Sequence, residues 1–499
     1  MLSKFHSIPQ HFSIEAILYQ PALLTVMNRA GLGGLGWLIL AMLGVAGPDF
    51  LQAQTRFKLQ YAAAPIDNPL KGLVPYDGES GFPCCLEFSY FPIRDLMLGP
   101  TKFEWSSLEK KLTDAQSRGR QLVLRLYLEY PGKKTAVPQF LIDRGLELTK
   151  YRVDDQNNIT PDYSDPRLLT ALESLIVAFG KQYDGDPRIG FITMGVLGHW
   201  GEWHTYPKEK LFASKLVQSK IMDAFENSFG KTRILMRYPA GDDQATYAPN
   251  RSRPFGYHDD SFAWATRATG KANDEWFYES VLRAAGPAAI DKWKTQPIGG
   301  EIRPEVWGTV FDVPGSAPRG QEFDRCVQET HVSWLLDSGM FGIDKNSSST
   351  RIANATVQIQ RMGYELHVSE ATIEITPTIA ERDPPTHLQT KENSKHRLKV
   401  KLKIENRGVA PFYYDWPIEV ALLDERQHIL ISQVTDWKLT DTLPGAPFEW
   451  ETTITSDAAS TRSANFAIRI LNPMPTGKPL RFANTTQQAD GWLLISQSE

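Results

Sequence analysis

Ile189-Gly190-Phe191-Ile192-Thr193-Met194-Gly195-Val196-Leu197 runs straight into Gly198-His199-Trp200-Gly201-Glu202-Trp203-His204. The first stretch is short and apolar and follows the turn residues Asp184-Gly185-Asp186-Pro187, so it reads as a buried strand. The second sets a carboxylate among two indoles and two imidazoles just past that strand's C-terminal end. Aromatic faces cover the apolar faces of sugar rings, and partial burial moves a glutamate toward the working range of a general acid. The competing reading is a solvated loop glutamate beside core tryptophans.

Working outward, residues 65–347 alternate short apolar strands with amphipathic helices. Strands are expected at 72–76, 85–91, 121–127, 189–197, 234–239, 255–260, 296–301 and near 330–334. Ser106-x-x-Glu109 reads as a capping box, and Asp165-Pro166 as the N-cap and first residue of a later helix. Further helices are expected near 208–228 and 273–284. Eight β/α units in about 280 residues predict an α/β fold, the (β/α)8 TIM barrel.

Past residue 350 the helical period stops. Alternating runs such as Leu398–Ile404 and Phe466–Ile470 predict an immunoglobulin-like β-sandwich over 355–499. Arg382-Asp383-Pro384-Pro385-Thr386 reads as a surface loop. Residues 1–53 read as a signal segment: Ala30–Gly47 carries no charge, follows Arg29, and precedes a candidate cleavage site at Leu51-Gln52-Ala53. Met27-Asn28-Arg29 would make a short n-region, which points to Met27 as the true start. An uncleaved membrane anchor is the rival reading. The expected location is secreted or periplasmic, with no stable membrane contact once the segment is removed.

Composition narrows the partners. Of 499 residues, 41% are hydrophobic and 22% charged, and the net charge of −4 shows no basic patch of the kind that binds nucleic acid. Aromatic content is 11%, with 13 Trp and 17 Tyr, which suits carbohydrate recognition as well as a large core. Cys84, Cys85 and Cys326 form no disulfide framework and no metal-binding spacing, and read as small buried hydrophobes.

Functional side chains of a barrel gather at the C-terminal ends of its strands. Glu202 follows the fourth expected strand, Arg237 and Tyr238 end the fifth, Tyr257, His258, Asp259 and Asp260 end the sixth, and Glu301 ends the seventh, with Arg303 and Trp307 beyond it. His331 and Trp334 lie at the eighth. Glu202 and Glu301 form the candidate catalytic pair, since two carboxyls across a barrel mouth can reach the roughly 5–5.5 Å separation of retaining glycosidases. An ion pair with Arg303 or Arg237 is the plainer role for Glu301. Gly299-Gly300 before Glu301 reads as room for a sugar. Trp200, Trp203, Tyr238, Trp307 and Trp334 are candidate sugar platforms; His204, Arg237, Tyr257, His258 and Asp259 are candidate substrate-fixing groups; Asp260 reads as structural. A metal could be drawn among His199, His204, His258, Asp259 and His331, but His199 and His204 lack the helical zincin spacing, so neither metal nor organic cofactor is expected. No G-x-S-x-G elbow, P-loop or dinucleotide fingerprint offers another chemistry. The alternative to a hydrolase is a non-catalytic glycan-binding barrel.

This arrangement resembles the clan A glycoside hydrolases over residues 68–345. The resemblance implies an acid/base after strand four, Glu202, and a nucleophile after strand seven, Glu301, with Tyr257 or His258 steering the latter. The clan's usual asparagine before the acid/base is absent: that position is Gly201. At closer range Asn68-Pro69-Leu70-Lys71-Gly72, Leu197–His204, Gly256–Phe262 and Pro297–Glu301 resemble the bacterial domain of unknown function 4832 with its N-terminal companion 4874, which implies a secreted barrel acting on glycans.

Overall fold

The computed structural model describes residues 53–313, 320–343, 347–378, 395–457 and 464–496. The signal segment, apart from Ala53, and the 382–386 loop lie outside the described residues. None of the helices in the described residues is long and apolar enough to cross a membrane.

Eight strands hydrogen-bond side by side in one parallel sheet: β1 (Gly72–Val74), β2 (Leu86–Pro92), β3 (Gln121–Tyr127), β4 (Ile189–Thr193), β5 (Ile234–Met236), β6 (Gly256–Phe262), β7 (Ile298–Ile302) and β8 (Trp334–Leu336). Their order runs β1-β8-β7-β6-β5-β4-β3-β2. The ring is brought nearly closed between β1 and β2 by a parallel bridge from Tyr76 to Phe88 and a 2.8 Å bond from Phe88 N–H to the Pro75 carbonyl. Strands β3 and β4 are buried on both faces because side chains fill the barrel inside and helices cover it outside.

The helices follow their local signals with three differences. Asp165 caps α2 (Pro166–Tyr183) through the Arg167 N–H, as its sequence predicts. The capping box does not form at α1 (Ser106–Ser117): Trp105 is the N-cap, Ser106 N–H and Oγ–H donate to Glu104, and Glu109 accepts instead from the Tyr183 hydroxyl and Arg188. The helix expected at 208–228 starts later, as α3 (Lys215–Ser228), where Ser214 supplies the cap. The one expected at 273–284 is α4 (Tyr278–Ala285), because the Asp274 carboxylate accepts from the Thr269 and Gly270 N–H groups and winds the preceding residues into a turn. Strand β8 is also displaced: Thr330 ends α5 (Phe323–Thr330), His331 caps it at φ 56°, and the His331 ring stacks on Trp293 at 3.6 Å with Nδ1–H donating to the Val409 carbonyl.

After α6 (Ser349–Arg361) come two four-stranded antiparallel sheets. One holds β9 (Leu366–Thr378), β10 (Lys395–Asn406) and β13 (Phe448–Asp457), with Ala53–Lys58 added along the free edge of β9. The other holds β11 (Ile418–Leu423), β12 (Ile429–Val434), β14 (Asn465–Ile470) and β15 (Leu493–Leu494). Both sheets feed one apolar cluster that continues into the barrel through Val74, Leu86, Phe88, Val123, Phe191 and Trp334. The sheets and the barrel strands thus share one core. Lys71 pins the two parts: its buried ammonium donates to the Gln360 and Tyr364 carbonyls, and burial lowers its pKa to about 8.

All three cysteines are buried and free, and burial raises Cys84 to about 11 and Cys85 to about 12, which leaves them as inert thiols at neutral pH.

Gly299 corrects one expectation. A Cβ there would fall 2.3 Å from the Trp334 ring, so this glycine makes room for an indole in the core and not for a sugar. Gly299→Ala is expected to lower the unfolding free energy by about 3 kcal/mol, read from urea midpoints; an unchanged midpoint would mean that the indole has space to move.

Candidate active site

At the C-terminal ends of the strands, one carboxylate oxygen from each of Glu202, Asp260 and Glu301 lies within 4.8 Å of the others, and all three groups are largely withdrawn from water. Glu202 arrives on the loop after β4, Asp260 from the inward face of β6, and Glu301 from β7. Three acids so close repel one another strongly in a low-dielectric setting. Two buried arginines offset this. Arg125 of β3 sends one amino group to Glu202 Oε1 at 3.1 Å and the other to Asp260 Oδ1 at 2.9 Å. Arg237, just past β5, reaches Glu202 Oε2 at 2.5 Å and Asp260 Oδ2 at 3.3 Å. His258 Nδ1 lies 2.7 Å from Asp260 Oδ1, and burial holds that imidazole below its usual pKa. The guanidiniums hold the places in which a bound cation would neutralise these acids, so the donor set does not suit a metal.

The three carboxyls divide unequally. Burial and the Asp260 charge push Glu202 up, but Arg237, His204 and Arg125 outweigh them and hold it below its ordinary value. Asp260, despite burial, is held well below the carboxylate range by Arg125, His258 and Arg237. Glu301 is pushed well above it by burial, Glu202 and Asp260. Among the described residues no donor hydrogen-bonds to Glu301.

The Glu202 loop is bent hard. Val196, Trp200 and Trp203 have φ of 75°, 52° and 59°, as do Gly198 at 77° and Gly201 at 73°, in the left-handed region. For a β-branched residue such as Val196 that conformation stores strain, which surrounding contacts must sustain. The departure at Gly201 has a steric cause: a Cβ there would sit 2.8 Å from the Leu126 carbonyl oxygen, so no asparagine fits. Beneath the loop is buried Glu129. Its carbonyl accepts the Trp200 N–H, and its carboxyl accepts from Asn158, Thr160 and Tyr163, while the Tyr163 hydroxyl accepts the Gly198 N–H. Tyr151 joins Thr160 to His199 Nε2 at 2.6 Å.

Several predicted site residues meet here. His204 Nε2 lies 3.6 Å from Glu202 Oε2, and the half-buried Trp200 indole stands edge-on to Tyr130 at 6.3 Å. Tyr238 stacks on Tyr247 at 4.3 Å with the Arg237 guanidinium 4.9 Å from its ring centroid. A cleft lined by Arg237, Tyr238, Asp259, Asp260 and Trp276 opens beside the cluster. Asp259 faces the opposite side of β6 from His258 and Asp260; Thr266 and the Ser261 N–H take up its carboxyl, and burial raises it to about 7. Trp307 is half-buried, its indole N–H donating to the Ile302 carbonyl.

Three expected sugar contacts are core instead. Trp203 is 1% exposed, its indole N–H spent on the Met194 and Gly195 carbonyls. Tyr257 is fully buried with its hydroxyl on Asn250 Oδ1. Trp334, fully buried, begins β8 at the far end from the carboxylates and packs on Phe191 and His258. In each case a one-dimensional pattern does not say which face of a strand or loop a ring occupies.

The sequence reading missed Arg125, Glu129 and an aromatic wall of Tyr76, Tyr90 and Tyr130. Tyr76 stacks on Tyr90 at 6.3 Å and Tyr90 meets Tyr130 edge-on at 5.7 Å. All three phenols are raised, chiefly by burial, with Glu301 among the charges acting on each. Their signal was their place at the ends of the first three strands, where arginine and tyrosine inside apolar runs pass for ordinary strand residues.

Neither a family model nor a curated protein matches this chain, so the resemblance to domain of unknown function 4832 gains no support from that side. Among solved structures, endo-glycoceramidase II from Rhodococcus sp. is similar at 12% identity and a TM-score of 0.35, covering 79% of this chain and 99% of that one. The catalytic domain of beta-amylase from Paenibacillus polymyxa is similar at 10% identity and 0.39, covering 60% and 99%. GH5_18 from Bifidobacterium longum subsp. longum stands at 12% and 0.32, covering 50% and 60%. Likeness at this level carries no argument about chemistry.

Glu129 yields a pH test. Burial raises its carboxyl from 4.5 to about 7, against the pull of Thr160, Tyr163 and Asn158, so the folded state holds a proton that the unfolded chain has already lost. Its contribution to stability is full below about pH 4.5, declines as pH rises, and has gone above about pH 7, a loss on the order of 3 kcal/mol. Glu129→Gln, which stays neutral, is expected to flatten that decline in urea unfolding between about pH 5 and pH 8. A slope equal to that of the wild type would show Glu129 ionised in the folded protein.

Proposed function

We propose that this protein is a glycoside hydrolase, secreted or periplasmic, that cleaves a poly- or oligosaccharide by a retaining two-carboxylate mechanism through Glu202 and Glu301. One observation carries the reading: one carboxylate oxygen of Glu202 lies within 4.8 Å of one of Glu301. Retaining enzymes hold their carboxyls about 5–5.5 Å apart, whereas inverting ones need roughly 6.5–9.5 Å to admit a water. The half-exposed rings of Tyr76, Tyr90, Tyr130 and Trp200 offer faces for a sugar beside that pair. The C-terminal sheets are read as an immunoglobulin-like β-sandwich that braces the barrel, and the chain as a relative of the 4832 domain on its quoted motifs. Carbohydrate is the expected partner and nucleic acid is not.

The unequal carboxyls favour catalysis over binding alone. One carboxyl held toward its ionised form beside one held toward its protonated form is the pairing that acid–base chemistry uses and that sugar binding alone does not require. Binding without turnover stays as the second reading because the rings and arginines would hold a sugar either way.

Reducing-end release from plant, algal and microbial polysaccharides tests this. Wild type is expected to cut at least one, and Glu202→Gln and Glu301→Gln each to lose about 10²- to 10⁴-fold in kcat. Full turnover in both variants would refute the site; a glycan bound and never cut would favour the binding protein.

A further inference from the structure

We infer that Glu301 is the proton donor of this site and Glu202 its nucleophile, the reverse of the allocation that the clan resemblance implies. The inference rests on the hydrolase reading above, and its ground is where the donors point. Both Glu202 oxygens accept guanidinium hydrogens, Oε1 from Arg125 at 3.1 Å and Oε2 from Arg237 at 2.5 Å, with His204 at 3.6 Å. Hydrogen bonds to a carboxylate favour its charged form. Glu301, 8% exposed, receives none among the described residues and faces two carboxylates and the Tyr76, Tyr90 and Tyr130 phenols. The charge count agrees. Arg125 and Arg237 bring two positive charges, burial favours the neutral form of His258, Glu202 and Asp260 match the arginines, and a third ionised acid would leave the buried cluster negative. One proton restores neutrality, and the undonated carboxyl is where it rests; the opposite displacements of Glu202 and Glu301 follow from the same arrangement.

In the first step the Glu202 carboxylate attacks the anomeric carbon, the glycosidic C–O bond breaks with its electron pair going to the leaving oxygen, and that oxygen takes the Glu301 proton. In the second, ionised Glu301 takes a proton from water, the oxygen of that water bonds to the anomeric carbon, and the bond to Glu202 breaks to restore its carboxylate. Asp260 has 2% of its side chain exposed and is ion-paired to both arginines. It is a positioning residue: its charge, beside that of Glu202, keeps the proton on Glu301 until the leaving oxygen claims it.

Neutron diffraction from crystals of the whole protein, perdeuterated and held at about pH 7, where an ordinary carboxyl has ionised, reads the proton directly. A deuteron on Glu301 and none on Glu202 is expected; a deuteron on Glu202, or on neither, overturns the inference whatever the protein hydrolyses. The nucleophile is read by incubating wild type with a panel of 2-deoxy-2-fluoroglycosyl fluorides and mapping the adduct by mass spectrometry. An ester on Glu202 supports the inference. An ester on Glu301 refutes it and leaves the hydrolase standing. No adduct and no cleavage, with the deuteron on Glu301, refutes the hydrolase and with it both chemical roles. Asp260→Asn, where it folds with the wild-type melting temperature, is expected to move the alkaline limb of kcat/KM to lower pH, since Glu301 then ionises more easily. A purely structural role for Asp260 would lower the rate and leave that limb in place.

Discussion

Arg125 and Arg237 are the constraint on which the rest of the site depends. Three carboxyls that each bring an oxygen within 4.8 Å of the others cannot share a buried setting unaided. Each guanidinium bridges Glu202 and Asp260, so one planar fork neutralises and orients two acids that arrive from different strands. Burial alone would lower both arginines, yet Asp260, Tyr90 and Glu202 around Arg125, and Tyr238, Asp260 and Glu202 around Arg237, hold both above their ordinary value, so neither gives up its charge. Lysine would supply the charge without the fork, and the two carboxylates would no longer be held in register.

Much of the fold was legible because hydrophobic periodicity tracks buried strands, and seven of the eight barrel strands fall where apolar runs end in turn residues. The eighth was not, because Thr330-His331-Val332 is apolar enough to pass for a strand while α5 extends through Thr330 and His331 turns left-handed to end it. For the site, strand ends located Glu202, Glu301, Arg237 and His258. Periodicity could not show that Trp203 folds back under its own loop, that Trp334 sits at the wrong end of its strand, or that Arg125 reaches Glu202 and Asp260. Asp260, read as structural, belongs to the carboxyl cluster itself. Its setting depends on partners from β3 and β5, far away in sequence.

The Glu202 loop shows how strain and support are distributed. Its left-handed residues are held from below by Glu129 and by Tyr163, whose hydroxyl both donates to Glu129 and accepts from Gly198. A neutral Glu129 can sit there at modest cost; an ionised one would carry an uncompensated charge directly under the loop. The shape of the Glu202 loop is thus supported by a hydrogen-bond network that lies beneath it.

The strand Ala53–Lys58 closes the edge of β9, with Arg56 bonded to Glu370 across 314 residues of sequence. During synthesis this segment is made before the barrel, and its partner follows only after the entire barrel. It must wait unpaired while the intervening chain folds, and the edge of β9 stays open until it docks. The first strand therefore acts as a late clasp. A chain shortened into it would expose the six-residue edge Glu370–Ile375, able to pair with another copy.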